Sequence, residues 1–299
     1  MQHPTASNDQ PRLDFVTCLS PAGLHRMAYW EWGDPGNDKV LLCVHGLTRN
    51  GRDFDRLARS LCGEYRVVCP DVAGRGASDW LVDPAFYTVP QYVSDMMPLL
   101  ARLQAATLHW FGTSMGGLIG MGLASLPGTP ISRLVLNDVG PRLDPAALAR
   151  IGQYVGRHPE FDSVDAALAY LRSVHASFGP HTDDEWSELN RFALRPAEGG
   201  QGRWTLHYDP SIAVVFRPMA PEVLAAAETT LWQGYASIAC PILVVRGAQS
   251  DLLGRDTVAE MAARNPHTHT VEIAGIGHAP TFMHEDQIGL ARRFLLAGD

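Results

Sequence analysis

The chain has 299 residues, 46% of them hydrophobic and 19% charged, which is enough apolar content for a large core and typical of an ordinary globular protein. The formal net charge is -8 and there is no block of Lys or Arg, which excludes nucleic acid as the expected partner. The longest apolar stretch near the middle, Leu118 to Leu126, is broken by glycines and too short to span a bilayer, so no membrane partner is expected either.

The polar opening, Met1 to Gln10, lacks the basic start and apolar run of a secretory signal. Five cysteines, at positions 18, 43, 62, 69 and 240, are odd in number and show no framework spacing. Both features point to a cytoplasmic chain with reduced, mostly buried thiols. No Cys-x-x-Cys or His-Glu-x-x-His pattern occurs, so neither a metal nor a cofactor is expected.

In chain order, Phe15 to Leu19 and Arg26 to Trp32 predict an opening hairpin that turns at Pro21-Ala22-Gly23. Val40 to Val44 reads as a strand buried on both faces, Phe54 to Leu61 as a helix, and Arg66 to Cys69 as a second buried strand stopped by Pro70. Pro90 to Leu103 predicts a helix with Pro90 in its first turn and Pro98 inside it. Leu108 to Phe111 is a third buried strand, followed by a glycine-rich turn and a helix. Leu134 to Leu136, Ile242 to Val245 and Thr270 to Ile273 complete the strands, and Glu285 to Leu296 is the last helix. The alternation predicts an α/β fold, with a mostly parallel sheet and helices on both faces.

From about Pro141 to Trp232 the rhythm breaks and no buried strand is evident. Helical patterns cover Pro145 to Tyr154, Ser163 to Ala176, Thr182 to Leu194 and Pro221 to Thr229, with Thr182 and Glu185 in capping-box register and a polar, glycine-rich piece at Glu198 to Gly202. This division predicts a core made of residues 1–140 and 233–299, with a helical cap over 141–232 entering and leaving through strand-end loops.

Gly112-Thr113-Ser114-Met115-Gly116 is a Gly-x-Ser-x-Gly motif set between a strand and a helix, the context that marks Ser114 as a nucleophile on a tight turn. A serine hydroxyl needs a neutral imidazole to take its proton. His278, in the glycine-flanked loop after the last strand, is the candidate; His45, at the end of the strand from Val40, reads as a structural residue bonding loop backbone. A carboxylate must hold the histidine in one tautomer. Asp251, beyond the strand Ile242 to Val245, is the first choice, and Asp138, just past the strand Leu134 to Leu136, is the second. Negative charge on a substrate carbonyl oxygen calls for two backbone N–H donors, assigned to Leu47 and Met115. Arg49 and Asn50 are expected at the entrance, while Trp186 and Trp204 are candidates for the apolar pocket wall, with packing of cap helices as the competing role.

Taken together, Val44-His45-Gly46, the run Pro70 to Asp79, Gly112 to Gly117, Leu136-Asn137-Asp138, Val244 to Asp251 and Gly277-His278 resemble the α/β-hydrolase family. The resemblance covers the chain from about Arg26 to Leu296 apart from the proposed cap. It implies an eight-stranded, mostly parallel sheet and a substrate pocket between core and cap. It is less specific for the reaction, although Ser114 argues against the branches that use an aspartate nucleophile. The expected activity is hydrolysis of a carboxylic ester of a small to medium, partly apolar molecule through an acyl-enzyme. Carbon–carbon cleavage of a dioxo acid by the same residues and a hydrolase-like small-molecule receptor are the alternatives. The expected partner is a small-molecule substrate, with the chain as monomer or homodimer.

Overall fold

Along Lys39–Val44, residues Val40, Leu42 and Val44 join one buried cluster while Leu41 and Cys43 join another, because successive side chains leave opposite faces of a strand. The whole architecture repeats that division. The computed structural model describes residues 10–200, 202–216 and 220–298. The opening read as lacking a signal, apart from Gln10, falls outside those residues.

Strands β1 (Arg12–Ser20) and β2 (Gly23–Trp32) form the expected hairpin, closed by the pair Ser20 and Gly23. Then follow β3 (Lys39–Val44), α1 (Asp55–Leu61), β4 (Arg66–Pro70), α2 (Val89–Leu103), β5 (Thr107–Thr113), α3 (Met115–Ala124) and β6 (Ile131–Asn137). Helix α2 continues through Pro98, and the Thr88 side chain accepts from the Gln91 N–H at its start. β5 and β6 extend well past the apolar runs seen in sequence. Pairing with β3 and with each other recruits polar positions such as Thr107 and Arg133, which periodicity alone does not mark.

Between β6 and the next strand of the main sheet come α4 (Pro145–Gly152), β7 (Glu160–Phe161), α5 (Val164–Val174), α6 (Asp183–Asn190), β8 (Leu194–Pro196), β9 (Trp204–Leu206) and α7 (Pro221–Ser237). The capping box forms as expected: Thr182 N–H donates to Glu185, and Glu185 N–H donates to Thr182 Oγ1. Two expectations for this stretch need correction. First, it holds a three-stranded antiparallel sheet, β7-β9-β8, whose two- and three-residue strands are too short for an alternation to be read. Second, α7 does not stop near Thr229. It runs on to Ser237 and packs against α3.

The chain then returns with β10 (Ile242–Gly247), α8 (Arg255–Arg264), β11 (Thr268–Ile273) and α9 (Glu285–Leu295). The eight-stranded sheet runs β1-β2-β4-β3-β5-β6-β10-β11, antiparallel at β1-β2-β4 and parallel from β4 onward. One face carries α2 and α3 on Val40, Leu42, Trp110 and Leu136; the other carries α1 and α9 on Leu41, Phe111, Val135 and Val245. None of the five cysteines forms a disulfide, and Cys18, Cys43, Cys62 and Cys69 are buried. No helix among the described residues is long and apolar enough to cross a membrane. Because β3, β5, β6 and β10 are parallel, the loops after them open at one edge, where open α/β sheets place their ligands.

Candidate active site

Ser114 sits between β5 and α3 with φ 51° and ψ -116°, a backbone conformation strained for any residue bearing a Cβ. The strain is held from both sides: Ser114 N–H donates to Asn137 O at 2.9 Å, and Ser114 O accepts from Gly117 and Leu118. Glycine is required at two flanking positions. A Cβ at Gly112 would run into the Gly116 carbonyl, and one at Gly116 into the Val44 carbonyl. Gly117 and Gly120 pack close on β6 and β5, where a Cβ would strike Val139 and Trp110 respectively.

The loop after β11 carries His278 over this turn. Its Nε2 is 3.0 Å from Ser114 Oγ, and its Nδ1 is 2.7 Å from Asp138 Oδ2. Ser177 holds the loop from above, its Oγ donating to His278 O and its carbonyl accepting from Gly277 N–H, both at 2.7 Å. Asn137 Nδ2 holds it from below by donating to Pro280 O at 2.8 Å.

The carboxylate behind His278 is therefore Asp138, the second choice from sequence, and not Asp251. Asp138 is fully buried directly after β6, in a left-handed conformation with φ 56°. Besides the imidazole, it accepts from Gly247 N–H at 2.9 Å and from Ser250 Oγ at 2.6 Å. Asp251 projects instead toward α4 and forms a two-point ion pair with Arg150, at 2.6 and 3.0 Å, with 46% of its side chain exposed. Partial burial pushes its carboxyl up, but hydrogen bonds and charge from Arg150 outweigh this and hold it below the usual range, with a smaller contribution from His278. The two acids were hard to separate in sequence because β6 and β10 are neighbours ending at the same edge. The residue one step past the strand is rigidly placed. The one four steps past is free to find Arg150, a partner from the inserted segment that no local pattern reveals.

Leu47 and Met115, the residues assigned as backbone donors, both line the cavity beside Ser114. A residue missed in sequence ties them together. Arg75, fully buried, donates to Leu47 O at 2.8 Å, Ala73 O at 2.7 Å and the Tyr92 hydroxyl at 2.9 Å, and its Nη2 reaches Met115 Sδ at 3.6 Å. Its position between Gly74 and Gly76 was the available signal, since both glycines adopt positive φ to bring it inward.

His45 bonds loop backbone, as read. Its Nδ1 donates to Gly46 O at 2.7 Å while its Nε2 accepts from Val72 N–H at 2.9 Å, which fixes one neutral tautomer. Burial, chiefly, pushes its pKa down to about 3. The unfolded chain, with a value near 6.5, then binds the extra proton between those limits. The contribution of His45 to stability is complete above about pH 6.5 and is lost as the pH falls toward about 3. His45→Gln keeps an acceptor near Nε2 but cannot be protonated. Denaturant melts across that window should show a pH dependence shallower by up to about one bound proton.

The cavity in front of Ser114 has a volume of about 360 Å³. Leu118, Val139, Leu148, Ile151 and Phe216 supply apolar walls, and the segment between β6 and β10 supplies much of the roof. Of the expected binding residues, Arg49 lines the cavity, but its guanidinium is committed to Asp53, Asn190 Oδ1 and Leu189 O. Asn50 donates to Phe192 O at 2.8 Å and accepts from Arg52 N–H. Both residues fasten the β3 loop to the inserted segment. Trp186 packs with Leu189 and Met283, and Trp204 lies in β9; neither lines the cavity, so packing is their observed role.

Elsewhere, Cys18, His25 and Asp95 meet in the interior between the hairpin and α2. His25 Nε2 is bonded directly to Asp95 Oδ2 at 3.0 Å, Gln91 takes the other carboxylate oxygen, and burial raises the Cys18 thiol to about 12. The Cys18 thiol donates to the Asp95 backbone carbonyl at 3.4 Å, and His25 Nδ1 is buried without a partner.

A model of the alpha/beta hydrolase family matches residues 41–291. The chain is 60% identical over 285 residues to a 3-hydroxybutyrate-oligomer hydrolase from Cupriavidus necator, covering 95% of this chain and 97% of that protein. Among solved structures, an alpha/beta hydrolase from Novosphingobium aromaticivorans aligns with a TM-score of 0.82 at 35% identity, over 96% of this chain and 98% of that one.

Proposed function

The chain belongs to the alpha/beta hydrolase family, and from that premise we propose that it is a serine esterase cleaving short oligoesters of a small hydroxy acid through an acyl-enzyme. The observation that carries the reading is the continuous hydrogen-bonded line Ser114–His278–Asp138 opening into an apolar cavity. In this mechanism His278 takes the Ser114 proton as Oγ attacks the ester carbonyl. The developing oxyanion is met by the N–H groups of Leu47 and Met115. The imidazolium then protonates the leaving hydroxyl, and water activated by His278 releases the acyl group. Asp138 stays ionised and stabilises the imidazolium throughout.

The substrate class rests on the relative from Cupriavidus necator, whose likeness extends over nearly the whole chain. The mostly aliphatic cavity walls suit a methyl-bearing oligoester. Carbon–carbon cleavage of a dioxo acid would use the same three residues but asks for a carboxylate anchor. Arg49 and Asn50, which would supply it, are already bonded to Asp53, Asn190, Leu189 and Phe192.

The test pairs labelling with product analysis. A fluorophosphonate should form one adduct, located by peptide mass spectrometry at Ser114. Unlabelled protein should release 3-hydroxybutyrate from its linear dimer, and labelled protein should not. An adduct at another residue, or no turnover of the dimer, would overturn the proposal.

A further inference from the structure

Most polar side chains facing the cavity already have a partner. Tyr87 donates to Asp209, Tyr92 accepts from Arg75, Arg150 is paired with Asp251, and Ser177 is bonded to the His278 loop. His175, at the C-terminal end of α5, is different. It lines the cavity, is only 6% exposed, and its Nδ1 is buried without any hydrogen-bond partner. The ring stacks on Phe178 at 4.7 Å between centroids and an interplanar angle of 11°, so its orientation is held by packing. A buried imidazole nitrogen left unbonded is costly, and such groups ask for an explanation.

The ring chemistry narrows what it awaits. Burial, with smaller contributions from the charges of Arg49 and His278, pushes its pKa well below the ordinary histidine value, so the imidazole is neutral. A proton on Nδ1 would be a sealed donor without an acceptor, which is the more expensive arrangement. The hydrogen therefore belongs on Nε2, the ring nitrogen that is not sealed, on a side chain that lines the cavity. A neutral N–H in an apolar wall recognises an acceptor oxygen and gains nothing from a hydrocarbon chain.

We propose that His175 is a specificity-determining residue that donates a hydrogen bond to a substrate oxygen outside the scissile ester group. The inference rests on the hydroxy-acid oligoester reading above. Such a substrate offers that oxygen on either side of the cut: the hydroxyl or ester oxygen on C3 of the acyl unit, or the carboxyl oxygens of the leaving acid. A simple fatty acyl ester offers neither.

The experiment compares p-nitrophenyl butyrate, p-nitrophenyl 3-hydroxybutyrate and the linear 3-hydroxybutyrate dimer on the full chain. His175→Phe keeps the ring stacked on Phe178 and removes the donor; His175→Gln restores an N–H near Nε2. For His175→Phe the expected result is about a tenfold loss of kcat/KM on the oxygen-bearing substrates, mostly in KM. Turnover of p-nitrophenyl butyrate should stay within about twofold of wild type, and Gln should recover most of the loss. A loss on both oxygen-bearing substrates assigns the contact to the acyl unit, and a loss on the dimer alone assigns it to the leaving acid. Equal losses on all three esters, no loss on any, or a loss that Gln does not recover would overturn the proposal. Wild-type protein inactive on all three would remove the esterase reading as well, whereas normal wild-type turnover with an indifferent His175→Phe removes this inference alone.

Discussion

Replacing Ser114 by Ala lowers kcat toward the ester substrate by about 10⁶-fold, leaving only what oriented binding and the backbone donors supply. The side chain lost is small, and the fold around it has little reason to change. The Ser114 contacts that set the turn are made by its backbone, through Asn137 O on one side and Gly117 and Leu118 on the other, and Ala keeps all of them. The positive φ is as tolerable for Ala as for Ser, since both carry one Cβ. Only the 3.0 Å contact from Oγ to His278 disappears. Thermal melting of the variant should thus follow wild type within about 1 kcal/mol, since one part-buried hydrogen bond is all that is lost. Single-turnover rates with p-nitrophenyl butyrate, read beside the melting curves, check both halves. A variant that folds normally and keeps more than about a thousandth of the wild-type rate would show that the nucleophile lies elsewhere.

Asp138→Asn should lower kcat by about 10⁴-fold, while Asp251→Asn should change it by less than about tenfold. An amide at position 138 can turn a donor toward His278 Nδ1, which holds the ring in the wrong tautomer and leaves the developing imidazolium without a counter-charge. It also confronts Gly247 N–H and Ser250 Oγ, both of which now donate to the carboxylate, so a stability loss of about 1–3 kcal/mol is expected with the loss of rate. At position 251 the change breaks a half-exposed ion pair with Arg150, worth about 0–1 kcal/mol. Steady-state kinetics of the two single variants and the double variant decide the matter. A collapse of kcat in Asp251→Asn, with Asp138→Asn near wild type, would reverse the assignment.

Most of the fold was legible in the residues. Strands buried on both faces read as uninterrupted apolar runs, as at Val40 to Val44 and Ile242 to Val245, and two of the helices carried their own start signals at Pro90 and Thr182. What escaped was decided by pairing. β6 gained Ile131 to Arg133 and Asn137 from its neighbours, and the small sheet β7-β9-β8 consists of segments with no periodicity of their own.

The site divides along the same line. Gly112-x-Ser114-x-Gly116 is a pattern visible in the chain: the turn itself admits no Cβ at Gly112 beside the Gly116 carbonyl, while the demand at Gly116 comes from the Val44 carbonyl of β3. His278 follows from a glycine-flanked loop at the correct sheet edge. By contrast, the choice of Asp138 over Asp251, the commitment of Arg49 to Asp53 and Asn190, the burial of Arg75 between Leu47 and Met115, and the unbonded nitrogen of His175 arise between residues far apart in the chain. Local sequence sets backbone geometry, because turns and helix ends obey short-range sterics. Which carboxylate or cation meets which partner depends on where separate loops arrive, and only the assembled sheet edge and its roof bring them within hydrogen-bonding distance.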